Sequence, residues 1–147
     1  MKQEKNCGRK NLLLVLDSNE YIFGFGLLKE KYSKTLLSTI QQSFPRHTIR
    51  IPRVIVEEVR THLSPEVFKE FILFINTLTS IDENSSVSFE IGVRYEMLGF
   101  KSADAFISAY TEWVGASVLV TENRHFLSKH LNLPFRVLTA QKILLEL

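Results

Sequence analysis

Leu12-Leu13-Leu14-Val15-Leu16-Asp17-Ser18-Asn19 sets an unbroken apolar run directly before an acid, a hydroxyl and an amide. A run without alternation reads as a strand buried on both faces, and a sheet covered by helices on each side provides that environment. Asp17, Ser18 and Asn19 stop the strand and offer N-cap side chains to a helix starting near Glu20. A second run of the same kind, Ser117-Val118-Leu119-Val120, ends just as abruptly in Thr121-Glu122-Asn123.

Helical and extended signals alternate around these two strands. Residues 33–42 read as a helix, 48–51 as a short strand, and Pro52 suits the first turn of a helix over 53–62. Ser64-Pro65 opens another helix, with Val67, Phe68, Phe71, Phe74, Ile75 and Leu78 on one face. Residues 79–82 form a brief strand and 83–86 a loop. The stretch 89–98 is helical and stops at Gly99, a good left-handed position. Ser102 caps a helix whose apolar positions are Ala103, Phe106, Ile107, Tyr110, Trp113 and Val114, and Gly115 ends it. A helix over 123–131, a strand over 135–138 and a short helix capped by Thr139 complete the pattern. Strands alternating with helices at these spacings predict a three-layer α/β/α fold around a central, mainly parallel sheet.

The 147 residues are 45% hydrophobic, enough for one domain with a real core. Residues 11–147 are expected to form that domain, behind a polar tail over 1–10 that carries Lys2, Lys5, Arg9 and Lys10. No apolar run approaches the ~20 residues that cross a bilayer, and the tail lacks the apolar stretch of a signal peptide. The single cysteine, Cys7, excludes a disulfide framework or a zinc knuckle within the chain. A cytoplasmic protein is the resulting expectation. Arg46, His47, Arg50 and Arg53 cluster in sequence, as do Arg124, His125, Lys129 and His130. Both clusters suit phosphate, and both equally suit a solvated face.

In an open parallel sheet, ligands bind beyond the carboxyl ends of the strands. Asp17 and Thr121-Glu122-Asn123 follow such ends, Glu58 lies in the helix after a third, and Asp104 lies in the first turn of its own helix. Wound in the usual way, the sheet brings these positions toward one edge. Carboxylates gathered in one cleft repel each other until a hard cation neutralises them, and Mg²⁺ or Mn²⁺ prefers such ligands. Each acid also has a structural role available: Asp17 as a helix cap, Glu58 pairing with His62, and Asp104 at a helix N-terminus.

Taken in order, these segments resemble the motifs of the PIN-domain family, including its VapC-like ribonucleases. Leu14-Val15-Leu16-Asp17-Ser18-Asn19 is similar to the opening motif. Ile51-Pro52-Arg53-Val54-Ile55-Val56-Glu57-Glu58-Val59 is similar to the second, with Glu58 the better match than Glu57. Ser102-Ala103-Asp104-Ala105-Phe106-Ile107, then Gly115 to Thr121, is similar to the third and fourth. The resemblance runs from about Leu12 to the C-terminus. One position departs: the family commonly has Asp as the second residue after that Thr, and here it is Asn123, with Glu122 before it.

The resemblance implies a metal-dependent endoribonuclease, with Mg²⁺ or Mn²⁺ bound by Asp17, Asp104 and Glu58 and with Asn123 completing the catalytic set. Ser18, Asn19, Thr121 and Glu122 would support it, and Arg53, Arg124 and His125 would contact the nucleic acid. It further implies an RNA substrate, an antitoxin protein as partner and a homodimer, for which Ile72, Leu73, Phe23 and Phe25 are candidate contacts. The competing expectation is a PIN module that binds RNA or a protein without cutting. Asn123, an amide that adds no charge, favours that alternative.

Overall fold

The computed structural model of the protein describes residues 11–28, 30–128 and 132–147. The expected polar tail with Cys7, and Lys129 and His130 of the second basic cluster, lie outside the described residues. The chain runs β1 (Leu13–Leu16), α1 (Ser18–Phe25), α2 (Lys31–Ser43), β2 (Thr48–Pro52), α3 (Arg53–His62), α4 (Pro65–Leu78) and β3 (Ile81–Asp82). After a 3₁₀ turn (Asn84–Ser86) come α5 (Phe89–Met97), α6 (Ser102–Trp113), β4 (Val118–Val120), α7 (Arg124–Leu127), β5 (Arg136–Leu138) and α8 (Ala140–Leu144).

The five strands form one sheet in the order β3-β2-β1-β4-β5, and every neighbouring pair is parallel. Leu14, Val15, Leu16, Val118, Leu119 and Val120 are all completely buried, as the unbroken apolar runs require. From β1 the chain winds outward through β2 and β3, then returns past β1 to lay down β4 and β5. The order therefore reverses between β1 and β4, and a crevice opens at the carboxyl ends of those two strands.

Local chemistry sets most boundaries. Ser64 and Thr139 cap α4 and α8 by accepting the backbone N–H groups of Val67 and Lys142. Gly99 and Gly115 take φ of 96° and 73° after α5 and α6, a conformation that costs glycine little. Three expectations are corrected. Ser102 is the first residue of α6 rather than its cap; Lys101 holds the cap position with no side-chain bond. The helix expected to run to 131 ends at Leu127, with Ser128 as its C-cap. The buried face of α6 consists of Ala105, Ile107, Ser108, Ala109, Tyr110 and Thr111, while Ala103 and Trp113 are exposed. Small residues let α6 lie close to its neighbours, so size at the contact overrides the apolar periodicity.

Candidate active site

Asp17 stands one residue beyond β1, at the reversal of strand order. Its backbone N–H donates to the carbonyl of Val120 at 2.9 Å, so the sheet ladder itself fixes the position. The buried side chain accepts from the Ser18 N–H at 2.8 Å through Oδ1 and from the Thr121 hydroxyl at 2.7 Å through Oδ2. Thr121 Oγ1 in turn accepts the Asn123 N–H at 3.0 Å. Hydroxyl and carboxylate thus lock the ends of β1 and β4 together across 104 residues of sequence.

Burial pushes the Asp17 carboxyl above its ordinary range, against the pull of the Thr121 and Ser18 hydrogen bonds, and the charges of Glu58 and Asp104 push it further. The charges of acids on α3 and α6 therefore bear on the carboxyl just beyond β1. Glu58 is exposed and Asp104 half-buried on the rim. The suggested Glu58–His62 side-chain pairing is absent, because His62 Nδ1 meets the Glu58 backbone carbonyl instead, at 3.0 Å.

The remaining expected residues fall around this point in different ways. Ser18 is buried beside Asp17 and Asn19 is half-buried at the start of α1. Asn123 is the N-cap of α7, its Oδ1 accepting the His125 N–H at 2.9 Å. Arg124 and His125 open that helix and are exposed. Glu122 Oε1 accepts the Ala140 N–H at 2.9 Å, at the start of α8. Arg53 is engaged by Glu83 at 2.7 Å. The first basic cluster is dispersed: Arg50 makes a two-point bond with Asp82, and His47 is buried, its Nδ1 accepting the Leu12 N–H.

One functional candidate, Glu20, escaped the sequence reading. It is completely buried, accepts the Ser33 hydroxyl at 2.8 Å, and meets the Glu122 carboxyl. Burial above all, then the bond to Glu122 and the charges of Glu122 and Asp17, push its carboxyl up to about 8, with Ser33 opposing. The available signal was an acid at the third position after Asp17, hence on the same side of α1, directly before the apolar stretch Tyr21-Ile22-Phe23.

The donors around Asp17 are all oxygen, and their mutual repulsion is the condition a hard cation relieves. In kind they fit Mg²⁺ or Mn²⁺. Among the described residues, no three His, Cys, Asp or Glu side chains stand grouped at metal-holding distance.

No family model matches the sequence, and no curated protein matches it significantly. A solved structure, VapBC2 from Rickettsia felis bound to a DNA fragment from their promoter, superposes with a TM-score of 0.59. The match covers 86% of this chain and 97% of that one at 14% identity. At that identity the likeness is one of fold, and the five-stranded parallel sheet flanked by helices is PIN-like.

Proposed function

We propose that this protein is a metal-dependent ribonuclease that hydrolyses RNA phosphodiester bonds, working as a single PIN-type domain over residues 11–147. The observation that carries this reading is Asp17: a buried carboxyl at the topological switch point, pushed up further by acids on two other elements. Asp17, Asp104 and Glu58 would hold Mg²⁺ or Mn²⁺. When bound, such an ion supplies positive charge to the phosphate and lowers the pKa of water. Thr121 holds Asp17 in one orientation through the 2.7 Å bond. Asn123 holds the start of α7, where exposed Arg124 and His125 are available to the RNA phosphates. Water adds to phosphorus, and the bond from phosphorus to a ribose oxygen breaks, that oxygen leaving with a proton.

The PIN-like fold shared with VapBC2 supports a toxin role, with an antitoxin protein as partner and the cytoplasm as site of action. Among the described residues no helix is long and apolar enough to cross a membrane. Exposed Leu73, Phe89 and Met97 support a homodimer, while Ile72 of α4 and Phe25 of α1 pack against the core and leave both helices a narrower contribution than expected.

Purified protein should cut single-stranded RNA with Mn²⁺ or Mg²⁺ and stop in EDTA. Asp17→Asn and Asp104→Asn should abolish cleavage while circular dichroism stays unchanged. Variants that cut at the wild-type rate would sink this reading. The second reading, an RNA- or protein-binding module without cleavage, is favoured by the absence of a preformed carboxylate triad among the described residues. It predicts RNA binding that neither substitution nor EDTA alters.

A further inference from the structure

We propose that the cavity between the 3₁₀ turn, α5 and α6 receives an unpaired base of single-stranded RNA, one that carries an exocyclic amino group. The cavity has a volume of about 470 Å³ and a mostly apolar wall with a few polar groups, as ligand pockets have. Phe106 of α6 is half-buried in that wall, and Phe89, at the start of α5, is exposed beside it. Aromatic faces of this kind stack unpaired bases. Gly92 lines the cavity from the middle of α5, where glycine weakens a helix. A Cβ at Gly92 would meet nothing within 4 Å, so no neighbouring element presses close enough to require the glycine. The bare backbone leaves open space instead.

Among the described residues that line this space there is no Lys, Arg or His, and one acid, Glu96. Such a lining repels a phosphate and suits a neutral base. A carboxylate only accepts hydrogen bonds, so Glu96 selects a base with an amino group, which adenine and cytosine have and uracil lacks. Asn84 gives its side-chain oxygen to the Val54 N–H at 3.1 Å, which leaves its amide N–H groups to donate to the base or ribose. That bond also ties the cavity to α3, the helix of Glu58, while Ser102 and Phe106 flank Asp104 along α6. RNA held by a base here passes the end of α6 that carries Asp104. The seat for the base stands on the cavity; its use in placing a phosphodiester for cleavage rests on the ribonuclease reading above. Phe89 is also a candidate dimer contact, so a second copy of the chain is the competing occupant.

Fluorescence anisotropy of labelled oligo(A), oligo(C) and oligo(U) with full-length protein in EDTA reads binding apart from cleavage. Wild type should bind oligo(A) and oligo(C) several-fold tighter than oligo(U). Gly92→Leu, a helix former that grows into the open space, should keep its circular dichroism and bind oligo(A) and oligo(C) only as well as oligo(U). Glu96→Gln, at an exposed position, both donates and accepts, and should bring oligo(U) level with the other two. No binding by wild type, or equal affinity for all three oligomers, would overturn the proposal. So would Gly92→Leu or Glu96→Gln keeping the wild-type preference. Phe89→Ser that turns a dimer into a monomer by light scattering, yet binds oligo(C) as wild type does, would give the cavity to a second copy and overturn it too. Cleavage with Mn²⁺ is read separately. Base preference without cleavage keeps the seat and sinks the ribonuclease reading, and cleavage without base preference does the reverse.

Discussion

A carboxyl removed from water beside other carboxyls favours its protonated form, and folding then becomes less favourable as the pH rises. Glu20 is the clearest instance. Its carboxyl is pushed from an ordinary glutamate value up to about 8 in the folded protein. The sign follows from that direction: stability is fully present below the ordinary value and is lost progressively as the pH climbs toward 8. Glu20→Gln does not titrate and keeps both hydrogen-bond roles. Urea denaturation in EDTA should therefore find the variant gaining on wild type between pH 5 and pH 9, with little further change above that. A constant difference across the range would contradict the raised Glu20 carboxyl. Asp17 was legible in the sequence because an acid directly after an apolar run has few other uses. Glu20 was not, because the contact that gives it meaning comes from Glu122, about a hundred residues away in a different loop.

At the scale of elements, local signals told most. Ser64, Thr139 and Gly99 announced their helix ends, and the apolar runs announced β1 and β4. Local signals fail where packing decides, as on α6, and where an element is too short to carry a pattern. Strand β3 has two residues, and side chains rather than periodicity secure it. Asp82 takes Arg50 of β2 at two points, 2.9 and 2.8 Å, and the Tyr110 hydroxyl of α6 at 2.5 Å. These bonds hold the Asp82 carboxyl below the usual carboxylate range although burial opposes them. Asp82→Ala removes all three and leaves a guanidinium and a phenol without their partner. The expected loss is about 2 kcal/mol of unfolding free energy, the scale of hydrogen bonds to a charged group, measured by chemical denaturation. A loss confined to a few tenths would mean that the sheet edge holds without this cluster.

Considered whole, the molecule brings its acids from the end of β1, from α3 and from α6, so a cation bound among them, as proposed above, would stabilise the entire folded chain rather than one segment. Mn²⁺ at a hundredfold excess over its Kd should add about 2.7 kcal/mol to the stability, with a corresponding rise in Tm. The rise should be absent in Asp17→Asn/Asp104→Asn. An equal rise in that variant would place the ion elsewhere. The same logic tells what was legible at this scale: alternation predicted parallel strands and two covered faces, while strand order, and hence the crevice, awaited the structure.

The hydrogen bond between Thr121 and Asp17 spans 104 residues, and β4, the neighbour of β1, follows β2, β3 and their crossovers in the chain. During synthesis, a ribosome exposes β1 before β2, β3 and β4, and so before the opposite wall of the crevice exists. A nascent chain therefore carries Asp17 through the synthesis of the next 104 residues before its hydroxyl partner exists. On the ribonuclease reading proposed above, cleavage would wait on that late event, because Asp17 lacks the Thr121 hydroxyl until β4 has been made.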